Sequence, residues 1–180
     1  MSTDTLFVLT GGPGSGKTTL VEALGDAGFS TCPEAGRAII RDQTALGGPA
    51  LPWNDPALFA ELMLSWDVRS HRAASGRGNP VFLDRGVPDT IGYLRLTGIA
   101  VPAHMQTAAH RFRYNAKVFV TPPWRDIFAR DDERGQTWEE AVRTHDVMVE
   151  TYAGLGYQPT PVPCAGVEER LRFILAETGS

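Results

Sequence analysis

In this chain of 180 residues a lysine and a threonine close a glycine-rich run, Gly11-Gly12-Pro13-Gly14-Ser15-Gly16-Lys17-Thr18. The run fits G-x-x-x-x-G-K-[ST], a spacing with a physical purpose. Glycines let successive backbone N–H groups converge on phosphate oxygens, and a helix starting behind them adds the positive end of its dipole. Lys17 is then placed to reach the β- and γ-phosphates of a nucleotide, and the Thr18 hydroxyl to ligate Mg²⁺. Gly12, Pro13, Gly14, Ser15, Gly16, Lys17, Thr18 and Thr19 form the expected nucleotide site. The alternative, a turn that merely joins strand to helix, fits the flanks less well. The apolar Leu6-Phe7-Val8-Leu9 precedes the loop and the helix-compatible Thr19-Leu20-Val21-Glu22-Ala23-Leu24 follows it, which is the context phosphate binding requires.

Three further stretches carry chemistry. Val81-Phe82-Leu83-Asp84 is an apolar run ending in an acid, suited to hold a metal beside Thr18 directly or through water; capping the next helix is the other role open to Asp84. Arg85 and Gly86 follow, so no second acid stands ready to activate water, which counts against hydrolysis as the main reaction. Glu34, in Cys32-Pro33-Glu34-Ala35-Gly36-Arg37, follows the short strand expected at Phe29-Ser30-Thr31-Cys32. In an open parallel sheet that position lies on the same rim as the phosphate loop, where a general base is useful; an ordinary acid at a helix start is the alternative. The third stretch, about 123–137, holds Arg125, Arg130 and Arg134 among Asp131, Asp132 and Glu133. Arg130 and Arg134, four apart, would share a helix face as a lid that neutralises a migrating phosphoryl group and keeps water out, or else pair with the neighbouring acids on a solvated helix. Trp53, Phe59, Tyr93 and Arg111 are candidates to line an acceptor pocket. His71, His104, His110 and His145 have no metal spacing and read as surface or capping residues.

The elements needed to position these groups alternate. Strands are expected near 5–9, 29–32, 81–84, 116–120 and 157–162. Helices are expected from the phosphate loop to Gly25–Gly28, over 38–43, from Pro56 behind Asn54 or Asp55, from Pro88 to Leu96, from Pro102 toward Tyr114, over 138–152 and over 167–176. In the helix from Pro56, Leu58, Leu62, Trp66 and Arg69 recur at helical spacing as a core stripe or the roof of a substrate pocket. Strand–helix alternation predicts an α/β fold with a parallel sheet of five strands wrapped on both faces, as one domain over 1–180.

Composition bounds the rest. Net charge is -4 with 21% charged residues, which argues against nucleic acid as a partner, although of seventeen basic residues only Lys17 and Lys117 are lysine. Cys32 and Cys164 are far apart and read as free thiols. The start Met1-Ser2-Thr3-Asp4 lacks a signal-peptide pattern and no apolar run reaches membrane-span length, so the expectation is a cytoplasmic protein without a membrane partner. The oligomeric state is not legible in the sequence.

Cys32-Pro33-Glu34 with Arg37 resembles the glutamate-containing turn after the second strand of deoxynucleoside and ribosylnicotinamide kinases, and Asp84-Arg85-Gly86 is similar to their acid–arginine pair after the third. Over nearly its full length the chain looks like the small bacterial P-loop proteins described as AAA-type ATPases or predicted kinases. The resemblance implies a three-layer P-loop NTPase fold of nucleoside- or nucleotide-kinase type, with ATP and Mg²⁺ as cofactors. It makes Glu34 the base that takes the proton of the accepting hydroxyl and Arg85 the phosphate clamp. It puts the acceptor between Glu34, Arg37 and the helices from Asn54 to Tyr114, and the adenine beside Pro161-Val162-Pro163-Cys164-Ala165. Ala35 and Gly86 depart from the proline and serine usual in deoxynucleoside kinases. The functional expectation is phosphoryl transfer from ATP to a hydroxyl or phosphate of a small molecule, with a slow nucleotide-switch ATPase as the rival.

Overall fold

The computed structural model describes residues 4–128 and 137–179. Its centre is β1 (Leu6–Gly11), every residue of which is buried. The β1 strand pairs in parallel with β3 (Val81–Asp84) on one side and β4 (Lys117–Thr121) on the other. Outside these lie β2 (Ser30–Cys32) and β5 (Gln158–Pro161), giving one parallel sheet of order β2-β3-β1-β4-β5. A parallel strand covered on both faces reads as a continuous apolar run, because both sets of alternating side chains are buried. Phe7 and Leu9 pack with Phe82, Phe119 and Ile174 on one face; Leu6 and Val8 pack with Leu83, Val118 and Tyr152 on the other.

Helices α1 (Lys17–Asp26) and α7 (Val167–Thr178) lie together over the Phe7 face. The opposite face is covered by α6 (Trp138–Gly154), against which α4 (Val87–Thr97) packs, followed outward by α3 (Pro56–Ala74). The capping chemistry is local. Asp55 accepts the Leu58 N–H at 2.9 Å to start α3, and the Thr137 hydroxyl and Glu140 carboxylate exchange hydrogen bonds with each other's backbone N–H at the start of α6.

Several boundaries and faces differ from expectation. Helix α2 runs over Ala35–Leu46, longer than the expected 38–43, because Ala35, Ile39 and Ile40 all bury against Phe59. Helix α5 (Ala103–Arg111) stops short of Tyr114, whose ring is in the core and whose hydroxyl accepts the Val87 N–H at 3.1 Å. In α3 the stripe Leu58, Leu62, Trp66, Arg69 is not the most buried face: Leu58 and Arg69 are exposed and Leu62 and Trp66 half-buried. The face turned inward is Ala60, Leu64, Asp67, His71 and Ala74. Trp66 and Leu62 instead line a groove between α2 and α3. His71 is thus buried rather than superficial, its Nε2 2.7 Å from the Arg113 carbonyl, and burial pushes its pKa below the usual imidazole value. Within the charged stretch of about 123–137, Arg125–Ile127 form a short 3₁₀ turn. Both cysteines are free thiols, and no described helix is long and apolar enough to cross a membrane.

Candidate active site

The phosphate loop is braced from three sides. Gly16 occupies the left-handed region (φ 72°) that opens α1, a conformation costly for any residue with a Cβ. A Cβ on Gly12 would come 2.3 Å from the Ala141 carbonyl oxygen, so the loop rests directly on α6. The Ser15 hydroxyl lies 2.8 Å from the Gly12 carbonyl and 2.7 Å from the Thr121 hydroxyl. From α7, Arg170 donates to the Ser15 carbonyl at 3.1 Å and the Gly16 carbonyl at 3.4 Å. Arg170 is buried, its Nε has no hydrogen-bond partner and no carboxylate pairs with it among the described residues; burial lowers its pKa.

The loop faces an open cleft of about 520 Å³ lined also by Arg37, Trp124, Ile127, Ala165 and Arg170. Thr18 and Thr19 are exposed on this cleft at the first turn of α1. Lys17 is buried with its Nζ 2.6 Å from Asp84 Oδ1. Asp84 therefore spends its carboxylate on Lys17, and Asp89 serves the start of α4, accepting the Gly86 N–H at 3.0 Å. The Thr18 hydroxyl on the cleft and the Asp84 carboxylate, buried behind Lys17, are hard oxygen donors of the kind Mg²⁺ uses beside substrate phosphates and water, so the two residues fit that ion.

Beside the cleft, Glu34 occupies the N-cap position of α2 without making a side-chain cap bond. Its carboxylate instead takes the Nε of Arg85 and the Nε of Arg37, each at 3.3 Å. Arg85 is the one non-glycine residue with a positive φ (74°) among the described residues. A left-handed turn costs an L-residue roughly 1–2 kcal/mol, and here it directs the guanidinium back between Glu34 and Asp89, whose Oδ1 lies 3.0 Å from Nη1. Burial alone would lower the Arg85 pKa, yet the carboxylates of Glu34, Asp89 and Asp84 hold it above its usual value. Asp89 is satisfied on all sides, accepting also from Thr10 at 2.5 Å and from the Tyr152 hydroxyl at 2.6 Å.

A second cavity of about 180 Å³ opens behind this pair, lined by Phe59, Met63, Asp67, Asp89, Thr90, Tyr93 and Met148 among others. Pro13, Glu34 and Arg85 line both spaces. Phe59 and Tyr93 meet edge to face at 5.4 Å, and Trp53, 63% exposed, stands at the rim. Asp67 is buried at the inner wall, and burial, then the nearby Asp89, push its carboxyl well above the usual carboxylate range.

Of the residues singled out by sequence, the structure brings together Lys17, Thr18, Glu34, Asp84 and Arg85, with Phe59, Tyr93 and Trp53 around the second cavity. Arg37 borders the cleft, not the second cavity. Arg111 is exposed with its guanidinium 6.0 Å from the Phe112 ring centre and lines neither space. Arg130 and Arg134 lie outside the described residues. Sequence reading missed Asp67, Asp89 and Arg170. The first was findable as the polar break in the face Ala60, Leu64, Asp67, His71; Arg170, in the charged run Glu168-Glu169-Arg170-Leu171-Arg172, carried no signal.

A family model described as an AAA domain (AAA_28) matches residues 6–170. No curated protein sequence is significantly similar to the chain. Among solved structures, NadR in complex with NR superposes with a TM-score of 0.67 at 19% identity, over 98% of this chain and 51% of that one, so this chain spans about half the length of NadR. Deoxyadenosine kinase from M. mycoides with bound dATP gives 0.59 at 13% identity over 97% and 100% of the two chains. Thymidylate kinase from Ehrlichia chaffeensis gives 0.63 at 13% over 98% and 99%. The fold is that of P-loop nucleoside and small-molecule kinases, and by the match over 6–170 the chain belongs to this AAA domain family.

Proposed function

We propose that this chain is a single-domain, ATP- and Mg²⁺-dependent kinase that moves the γ-phosphoryl group to a hydroxyl or phosphate of a small acceptor bound in the cavity beside Asp67. The observation that carries the proposal is the shared wall: Pro13, Glu34 and Arg85 border both the phosphate cleft and the second cavity. A phosphate in one and a hydroxyl in the other meet at Glu34. Glu34 takes the proton of the acceptor hydroxyl as its oxygen bonds to the γ-phosphorus and the bond to the β-bridging oxygen breaks, releasing ADP. Arg85, held between two carboxylates, presents a fixed positive charge to the migrating group, and Lys17 exchanges Asp84 for the β- and γ-phosphates. Thr18 and Asp84 would hold Mg²⁺, which neutralises charge across those phosphates. Solved structures of similar fold support an adenine nucleotide: NadR with NAD and AMP-PNP, and deoxyadenosine kinase with dATP.

The test is Glu34→Gln with labelled ATP and a library of small hydroxyl and phosphate compounds. Acceptor phosphorylation should fall by roughly 10²–10⁴-fold with ATP affinity almost unchanged, the usual scale for loss of a general base. A parent protein that hydrolyses ATP but labels no acceptor would instead support a nucleotide switch.

A further inference from the structure

The second cavity is lined by acids, and we infer that its acceptor is an uncharged or positively charged alcohol recognised at the inner wall by Asp67, while compounds bearing phosphate or carboxylate are excluded. The inference rests on the kinase reading above and narrows it. Three carboxylates, Glu34, Asp67 and Asp89, face the space, against a single cation, Arg85. Arg85 is already committed, at 3.3 Å to Glu34 and 3.0 Å to Asp89. An anionic acceptor would meet like charge in a cavity with no uncommitted guanidinium or ammonium on the described walls.

Asp67 is the group left open to a ligand. The oxygens of Asp89 are taken by Thr10, Arg85, Gly86 and Tyr152. Asp67, only 7% exposed, has one hydrogen bond among the described residues, a long 3.4 Å contact from the Thr90 hydroxyl. A carboxyl group can engage several partners at once, so most of its capacity faces the cavity. Protonated, it donates to an oxygen of a neutral acceptor; ionised, it pairs with a cation. Burial raises its pKa, which favours the first state, and a bound cation supplies the counter-charge for the second. The Phe59 and Tyr93 rings add faces suited to a flat ring or an organic cation.

The experiment sorts a library of small alcohols into cationic, neutral and anionic classes. Each compound is scored by thermal shift of the full chain in the presence of the non-hydrolysable analogue AMP-PNP with Mg²⁺, and separately by mass gain of the compound with ATP. Binding should be confined to the cationic and neutral classes, and Asp67→Asn should weaken the best binder at least tenfold with AMP-PNP affinity unchanged. Preferential binding of anionic alcohols, absence of shifts from the other two classes, or an Asp67→Asn variant that binds the best compound as the parent does would each overturn the inference. The parent's charge selectivity stands as a test even if the variant does not fold. Selective binding of cationic or neutral alcohols without any mass gain would defeat the kinase reading and leave the charge rule standing.

Discussion

The ammonium of Lys17 lies 2.6 Å from Asp84 Oδ1, with both side chains buried. The pair joins the phosphate loop to the end of β3, and each member is the group a magnesium nucleotide would draw away: Lys17 to phosphate, Asp84 to the metal.

Asp84→Asn keeps the shape but leaves a buried ammonium without its counter-charge, and breaking such a pair costs about 3–5 kcal/mol. Stability should fall on that scale in urea denaturation, recover in part with MgATP, and turnover should need much more Mg²⁺. An unchanged Mg²⁺ titration would confine Asp84 to holding Lys17.

Arg170 contributes a buried cation whose hydrogen bonds, among the described residues, go to the carbonyls of Ser15 and Gly16. Hydrogen bonds to charged groups are worth about 1.5–3 kcal/mol, so Arg170→Met should weaken ATP and ADP binding by roughly ten- to a hundredfold, with adenosine affected less and Arg170→Lys intermediate. Calorimetric titration well below the melting temperature separates this from a strut joining α1 to α7, whose loss would lower only the melting temperature.

Asp67 gives the stability a pH slope of known sign. Its folded pKa is raised above the ordinary 3.8, so as pH climbs from that value toward the folded pKa the native state holds a proton the unfolded chain has lost. Its contribution therefore destabilises the native state progressively as pH rises through this window. Glu34, Asp89, Arg85 and Thr90 surround the group and set the upper limit. Asp67→Asn should be relatively more stable at neutral pH than at pH 4; denaturation curves across that range that run parallel for variant and parent would refute the assignment.

Gly86 departs from the serine of deoxynucleoside kinases for a reason of space. A Cβ there would lie 2.8 Å from Cζ of Tyr114 and 2.9 Å from its hydroxyl oxygen, which accepts the Val87 N–H. Gly86→Ser should cost about 1–3 kcal/mol, the usual range for overpacking a core, and clearly less in a Tyr114→Ala background, measured as a double-mutant cycle. Equal cost in both backgrounds would exclude Tyr114 as the cause.

The phosphate loop, the five strands and the place of Glu34 were legible in the sequence because their determinants are contiguous. A loop of glycines closed by Lys17 and Thr18 specifies its own backbone, apolar runs identify parallel strands buried on both faces, and the turn after β2 must emerge on the loop's rim. The remainder of the site is assembled from distant segments. Helix α3 packs against both α2 and α4, so two of its stripes carry apolar residues, and periodicity alone does not say which one holds Asp67 inside. The left-handed turn at Arg85 exists between Glu34 and Asp89, fifty-one residues before it and four after. Arg170 meets the loop across 155 residues of chain. Charge at such positions acts through distance and burial, which tertiary packing decides, whereas loop conformation and strand formation act through neighbours in the chain.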